Sequence, residues 1–256
     1  MSEARLSWLE GRFDRRDEPG AAATPAATVV ALRDGGGGVE ALLLQRVRSG
    51  AFKGMWVFPG GKVERGDTAA PVRRPEDPEG PAGAEVAAAR RAAAREAAEE
   101  AGLVLDPAAL VAHAFWLPPP EAPRRFATWF FVAEATAEAA VVVERAEVSE
   151  HRWVRPADAL AERDAGRLAL APPTWVTLWQ LREATDPAGA VRAAIDLCPG
   201  RFVTRLATAG EDSALLWEGD AGYEDGVLDR PGPRRRLWVS ESAPWRAELP
   251  DAPAGG

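Results

Sequence analysis

Three carboxylates crowd positions 95–102, "REAAEEAG", where Glu96, Glu99 and Glu100 close an Ala-rich run. At about 100° per residue, positions i, i+3 and i+4 fall within roughly 60° of one another, so on a helix these side chains share a face and repel. Gly102 is the expected terminator, which places Glu99 and Glu100 in the last turn, beside the negative end of the helix dipole. Each misplaced charge costs about 0.3–1 kcal/mol there. A hard divalent cation such as Mg²⁺ would turn the repulsion into attraction. It takes oxygen ligands, and two or three carboxylates at helix spacing form a partial shell that substrate phosphates complete. An ordinary surface is the competing explanation, because Arg90, Arg91 and Arg95 are close by and Arg95 stands four residues before Glu99.

The element that must carry these acids is the strongest helical signal in the chain, running from about Ala84 to Ala101 and dominated by Ala, Arg and Glu. Ahead of it, "MWVFPGGKVERGD" (55–67) reads as a short strand followed by glycines and charges. Residues 68–83, rich in Pro and Gly without apolar periodicity, read as an exposed loop. "ATVVALRD" and "VEALLLQRV" flank "DGGGG" at 34–38, a β-hairpin with a Gly-rich turn; no helix start follows to make it a phosphate loop. Further strands are expected at "LVAHAFWL", "FATWFFVAEA" and "HRWVR", and a helix from Pro156 to near Gly166. Two more helices, at about 174–184 and 188–197, precede short strands near "RFVTRLA", "ALLWEG" and "RRRLWVS". The expected organisation is a polar lead-in at 1–24, a main domain at 25–170, a C-terminal α+β elaboration at 171–250 packed on it, and a tail at 251–256.

Composition narrows the function classes. A chain of 256 residues with 46% hydrophobic residues can bury a core of its own. Its net charge of −8 argues against nonspecific binding to nucleic acid or to an anionic membrane. One cysteine, Cys198, suits a reducing compartment, and it is read as a small buried apolar residue rather than a nucleophile. With no apolar leader and no apolar run long enough to span a bilayer, the expected location is cytoplasmic. The histidines are His113 and His151, and there is no Gly-x-Ser-x-Gly elbow or Cys-x-x-Cys pair, so serine-hydrolase and zinc-thiolate schemes lack parts.

"FPGGKVERGD" followed by "REAAEEAGL" resembles the two halves of the Nudix box, G-x5-E-x7-R-E-U-x-E-E-x-G-U with U bulky and apolar. Gly61 and Asp67 match the first half, with Asp in place of Glu. Arg95, Glu96, Glu99, Glu100, Gly102 and Leu103 match the second, with Ala97 a small substitute at the first U. Positions 68–94 supply 27 residues where the pattern has seven, and the surplus falls in the Pro/Gly-rich stretch. Loop closure tolerates it, since doubling a flexible loop costs only about 0.6 kcal/mol. A box split in this way, with "LLLQRVRSGAFKGMWVFPGG" before it and "PRRFATWFFVAEA", "LAPPTWVTLWQL" and "GDAGY…GPRRRLWV" after it, is similar over residues 26–246 to the coenzyme A diphosphatase-like branch of the superfamily. A separate coenzyme A signature, L-L-T-x-R-S-x3-R-x3-G-x3-F-P-G-G, fits in part. Leu42, Leu43, Arg46, Gly54 and Phe58 to Gly61 agree, whereas its Thr, Ser and second Arg do not, and the spacing is one residue short.

The resemblance implies an α/β/α sandwich around a mixed sheet and a Mg²⁺- or Mn²⁺-dependent attack of water on a diphosphate. It implies a metal held by the Gly60 carbonyl with Glu96, Glu99 and Glu100, and Arg95 orienting a glutamate by a salt bridge. It also places Gly61, Arg46 and Arg125 at the substrate, where guanidinium suits phosphate. Either arginine could equally be a surface charge. The general base is a box glutamate or an acid of "VVVERAEVSEHRW", where Glu147 ranks before Glu144 and Glu150. Trp56, Trp116 and Phe131 could stack on a base, although core packing suits all three better. The expected partner is a small nucleotide substrate, with no nucleic acid and no membrane, and a homodimer is left open. Three readings follow: a coenzyme A diphosphatase, a hydrolase of ADP-ribose or a dinucleotide, and a nucleotide-binding protein without catalysis.

Overall fold

The computed structural model describes residues 22–47, 54–69, 72–122, 124–136, 140–143, 147–196, 199–210, 212–240 and 243–250. The lead-in up to residue 21, Glu144, Cys198 and the tail from 251 lie outside them. The described residues form two compact units, one of Thr24–Phe115 and Thr128–Gly200, the other of Trp116–Ala127 and the residues from Arg201 to 250.

The larger unit is built on a mixed sheet. Strands β1 (Thr24–Asp34) and β2 (Val39–Arg46) form the expected antiparallel hairpin, with Leu32 opposite Ala41 and Asp34 opposite Val39. Its turn closes from the Gly35 amide to the Gly38 carbonyl at 2.9 Å, with Gly36 at φ 72°. β3 (Trp56–Val57) pairs antiparallel with β2, and β4 (Gly60–Lys62) with β1. The sheet continues through β5 (Val111–Leu117), β6 (Phe126–Glu134) and β7 (Val148–Val154) in the order β3-β2-β1-β6-β5, with β7 antiparallel to β2. A parallel bridge joins Trp56 to Leu170.

Between β4 and β5 the chain forms a short helix α1 (Arg65–Ala69) and the long helix α2 (Gly80–Ala101). Most of the described residues at 68–83 are exposed, as their composition suggests, but the stretch is not loop throughout. Helix occupies both ends of it, Pro81 sitting in the first turn of α2, where its missing amide is harmless. Asp77 and Arg90, 1% and 0% exposed, form a buried ion pair that ties the intervening turn to α2. Arg90 also donates to the carbonyls of Leu110 at 2.9 Å and Val72 at 2.7 Å. Gly102 ends α2 in the left-handed conformation at φ 64°, as its position predicts, with its amide on Ala98 and that of Leu103 on Ala97.

Alternation along the hairpin decides the layers. Ala27, Val29, Ala31, Leu42 and Leu44 share one face and pack with Val86, Ala89, Ala93, Ala97 and Ala101 of α2. Small alanines let that helix lie close to the sheet. The alternate residues Val30, Leu32, Ala41 and Leu43 are equally buried on the other face, where α3 (Pro156–Asp164) packs on β2 and on α4 (Pro172–Leu181). The α/β/α sandwich is thus as expected. Helix α5 (Pro187–Asp196) completes this unit.

In the smaller unit, β9 (Arg205–Ala209), β10 (Asp212–Leu216), β11 (Arg236–Val239) and β12 (Arg246–Glu248) form an antiparallel sheet in the order β12-β11-β10-β9, after the short strand β8 (Gly200–Val203). Trp116, Phe202 and Trp217 form an aromatic cluster, the first two stacked at 4.1 Å. The side chains of Arg236 and Asp220, both fully buried, form an ion pair in this unit.

Candidate active site

The "REAAEEAG" turn lies against β4 and the end of β2, and its acids differ in depth. The side chains of Glu96 and Glu100 are 14% and 5% exposed, and that of Glu99 58%. A buried carboxylate needs strong donors. Glu100 receives the Gly60 amide on Oε2 at 3.0 Å and the Arg46 guanidinium on Oε1. Glu96 lies against Gly61, where an added Cβ would come within 2.3 Å of Oε1. A side chain at 61 would displace the Glu96 carboxylate, the mobile end of its side chain, whereas one at 60 would meet the fixed β1 backbone, 2.4 Å from the Ala27 carbonyl oxygen.

Arg95 joins the two halves of the box. Nη1 donates to Glu96 at 3.0 Å and Glu99 at 2.9 Å, while Nη2 donates to the Lys62 carbonyl at 2.9 Å. Nε and Nη2 also meet the two oxygens of Asp67 at 3.3 and 3.1 Å. Burial alone would lower the pKa of Arg95, but the bonds to Asp67 and Glu96 outweigh it and raise it, so the guanidinium stays charged. Asp67 is 3% exposed and also accepts the Glu64 amide at 2.8 Å. Sequence reasoning matched Asp67 to the box without giving it a task. Its task is to hold Arg95, and its box position was the available signal.

Burial pushes the carboxyl of Glu96 above its ordinary range, Arg95 opposing and the charges of Glu99 and Glu147 adding to the shift. Burial likewise raises Glu100, against Arg46 and the Gly60 amide, with Glu96 adding to it. Glu147 stands at the start of β7 and lies 3.4 Å from Arg46. Five carboxylates thus surround two guanidinium groups, and negative charge is in excess. Glu150 is exposed on β7, across from Gln45.

The donor set fits a hard cation in kind, since it consists of oxygens beside a glycine-lined approach. The carboxylates are turned toward arginine, however, and among the described residues no three His, Cys, Asp or Glu side chains are gathered so as to hold a metal ion. Arg125 belongs to the smaller unit and donates to the Pro118 carbonyl. Trp56, Trp116 and Phe131 are 3%, 4% and 0% exposed, which makes them core residues. No helix among the described residues is long and apolar enough to cross a membrane.

The family model described as "NUDIX domain" matches residues 23–75 and 78–186, more than half of the chain. The chain is 34% identical over 71 residues to a protein described as "Putative nudix hydrolase 7" from Caenorhabditis elegans. That match covers 28% of this chain and 24% of the relative, so the chain spans about a quarter of that protein's length. The crystal structure of a NUDIX hydrolase from Alicyclobacillus acidocaldarius superimposes with a TM-score of 0.60 at 23% identity, covering 67% of this chain and 96% of that one. This likeness is one of fold.

Proposed function

Because the chain belongs to the NUDIX family, we propose that it is a divalent-metal-dependent diphosphatase that cleaves coenzyme A or an acyl derivative into a phosphopantetheine compound and an adenosine bisphosphate. The observation that carries the reading is the convergence of Glu96, Glu99 and Glu100 with Arg46, Arg95 and the Gly60–Gly61 backbone at one corner of the sandwich. The Gly60 carbonyl and the three glutamates would hold Mg²⁺ or Mn²⁺, which when bound supplies charge neutralisation, orientation and a more acidic water.

The chain's own groups do the rest. Glu147 takes the proton of the attacking water, at the exposed rim of the corner. Arg46 grips the diphosphate, where a guanidinium forms paired hydrogen bonds to phosphate oxygens. Arg95 keeps Glu96 and Glu99 at a fixed spacing, and Asp67 keeps Arg95 in place. Arg125, whose guanidinium also donates to the Pro118 carbonyl, is the second arginine of this reading for the substrate phosphates.

Leu42, Leu43, Arg46, Gly54 and Phe58 support coenzyme A as the substrate. A second reading, hydrolysis of ADP-ribose or a dinucleotide, is favoured by Leu44 and Val47 standing where the coenzyme A signature has Thr and Ser. Retention of every box glutamate of the second half argues against a binding protein without catalysis. The test is a panel of coenzyme A, acetyl-coenzyme A, ADP-ribose and a diadenosine polyphosphate with Mg²⁺, products being resolved by mass. Preferential turnover of coenzyme A is expected; equal or faster turnover of ADP-ribose would sink that assignment.

A further inference from the structure

Arg46 is assigned to the substrate above, yet its guanidinium is already engaged. It donates to Oε1 of Glu100, a carboxylate assigned to the metal, and lies 3.4 Å from Oε2 of Glu147, the assigned base. The other oxygen of Glu100 accepts the Gly60 amide. One cation of the chain therefore binds the acid that a metal needs and the acid that must take a proton.

The backbone is built to place it there. The register of β2 and β7 shifts between Gln45 and Arg46: Gln45 faces Glu150 while Arg46 faces Val148, so Ser149 is the extra residue of a β-bulge. A bulge re-aims the side chains beside it. It brings Glu147 next to Arg46, with the Val47 amide on the Glu147 carbonyl at 2.9 Å. Ser149 turns its hydroxyl onto Gln45. The Arg46 main chain is fixed on its other side by Met55 and Gly54, at 3.0 and 3.1 Å. Its side chain remains 29% exposed, between Glu100 at 5% and Glu147 at 59%. The main chain is thus anchored while the guanidinium stands at the boundary between a buried acid and open solvent.

We propose that Arg46 is a displaceable counter-ion, which neutralises Glu100 and Glu147 in the metal-free protein and moves onto the diphosphate when metal and substrate arrive. Guanidinium and metal compete for the same carboxylate oxygen, so each weakens the other's hold on Glu100. A diphosphate that draws Arg46 away then favours metal binding, and metal that releases Arg46 favours diphosphate by the same factor. Leaving Glu147 at the same time frees the base. The inference rests on the metal-dependent reading above, and it makes a prediction with an unusual sign.

The test is calorimetric titration of Mn²⁺ into the wild-type chain, Arg46→Gln and Arg46→Lys, without nucleotide. Losing a positive charge from beside the metal position should tighten Mn²⁺ binding by roughly three- to tenfold in Arg46→Gln, while KM for the turned-over diphosphate rises. Arg46→Lys should fall between the two. A merely structural arginine would give unchanged or weaker Mn²⁺ binding in Arg46→Gln, and that result overturns the proposal alone. No Mn²⁺ binding in any of the three proteins overturns it together with the metal-dependent reading. Should Arg46→Gln fail to fold, NMR of the arginine Nε–H groups in the wild type decides the question. The Arg46 signal should lose exchange protection on adding Mg²⁺ and regain it on adding methylenediphosphonate; a signal indifferent to both overturns the proposal.

Discussion

Glu99 and Glu100 are neighbours in sequence, yet their loss should read out differently. Glu99 is more than half exposed and held by Arg95 alone among the described contacts. Glu99→Gln is expected to lower kcat by orders of magnitude and to shift stability by no more than about 0.5 kcal/mol. Glu100→Gln should lower kcat as well, and should also cost about 1–3 kcal/mol in chemical denaturation without metal, because it removes the buried partner of Arg46. Equal stability of the two variants would contradict this difference. The spacing of the three acids was legible in the sequence, because helical geometry is local. Their depth was not. Burial of Glu100 depends on Arg46, 54 residues away, and on a glycine amide brought in by β4.

At the level of elements, the glycines of β4 and the turn before α2 bear different loads. Gly61→Ala would drive a methyl group against Glu96, so it should abolish Mg²⁺-dependent turnover while circular dichroism shows the fold retained. The turn before α2 depends on Asp77 and Arg90, and removing one partner of such a buried pair costs about 3–5 kcal/mol. Burial alone would raise the pKa of Asp77, but the Arg90 and Arg74 bonds outweigh it and hold it below 3.8. A folded pKa below the unfolded one gives stability that is present above pH 3.8 and is lost as the pH falls through the folded value. Asp77→Asn should therefore lower Tm at neutral pH and flatten the loss of stability below about pH 4. An unchanged acid limb would contradict the role of this pair. Composition marked the exposure of this segment, since Pro and Gly favour solvent-exposed chain, but not the helical ends or the ion pair that anchors it. Here Pro81 starts a helix, and an aspartate that sequence reasoning treated as loop pairs with an arginine it treated as surface.

For the molecule as a whole, the sandwich was legible because strand alternation and the Ala-rich helix both reflect burial against one sheet. The division into units was harder to read. Helices α4 and α5 group with the sandwich, while residues 116–127 group with the small C-terminal sheet, since strands β5 and β6 each have an end in both units and no change of composition marks the crossing. Substrate choice was the least legible property, because it depends on side chains from several elements that no local spacing joins. The central claim is that the box acids sustain metal-dependent hydrolysis of a diphosphate. The most direct measurement follows the mass-resolved products of coenzyme A and ADP-ribose across an Mg²⁺ titration, in the wild type and in Glu99→Gln. The account predicts turnover that rises from zero with Mg²⁺ in the wild type and is reduced by orders of magnitude in Glu99→Gln. Turnover that ignores Mg²⁺, or that survives undiminished in Glu99→Gln, would contradict it.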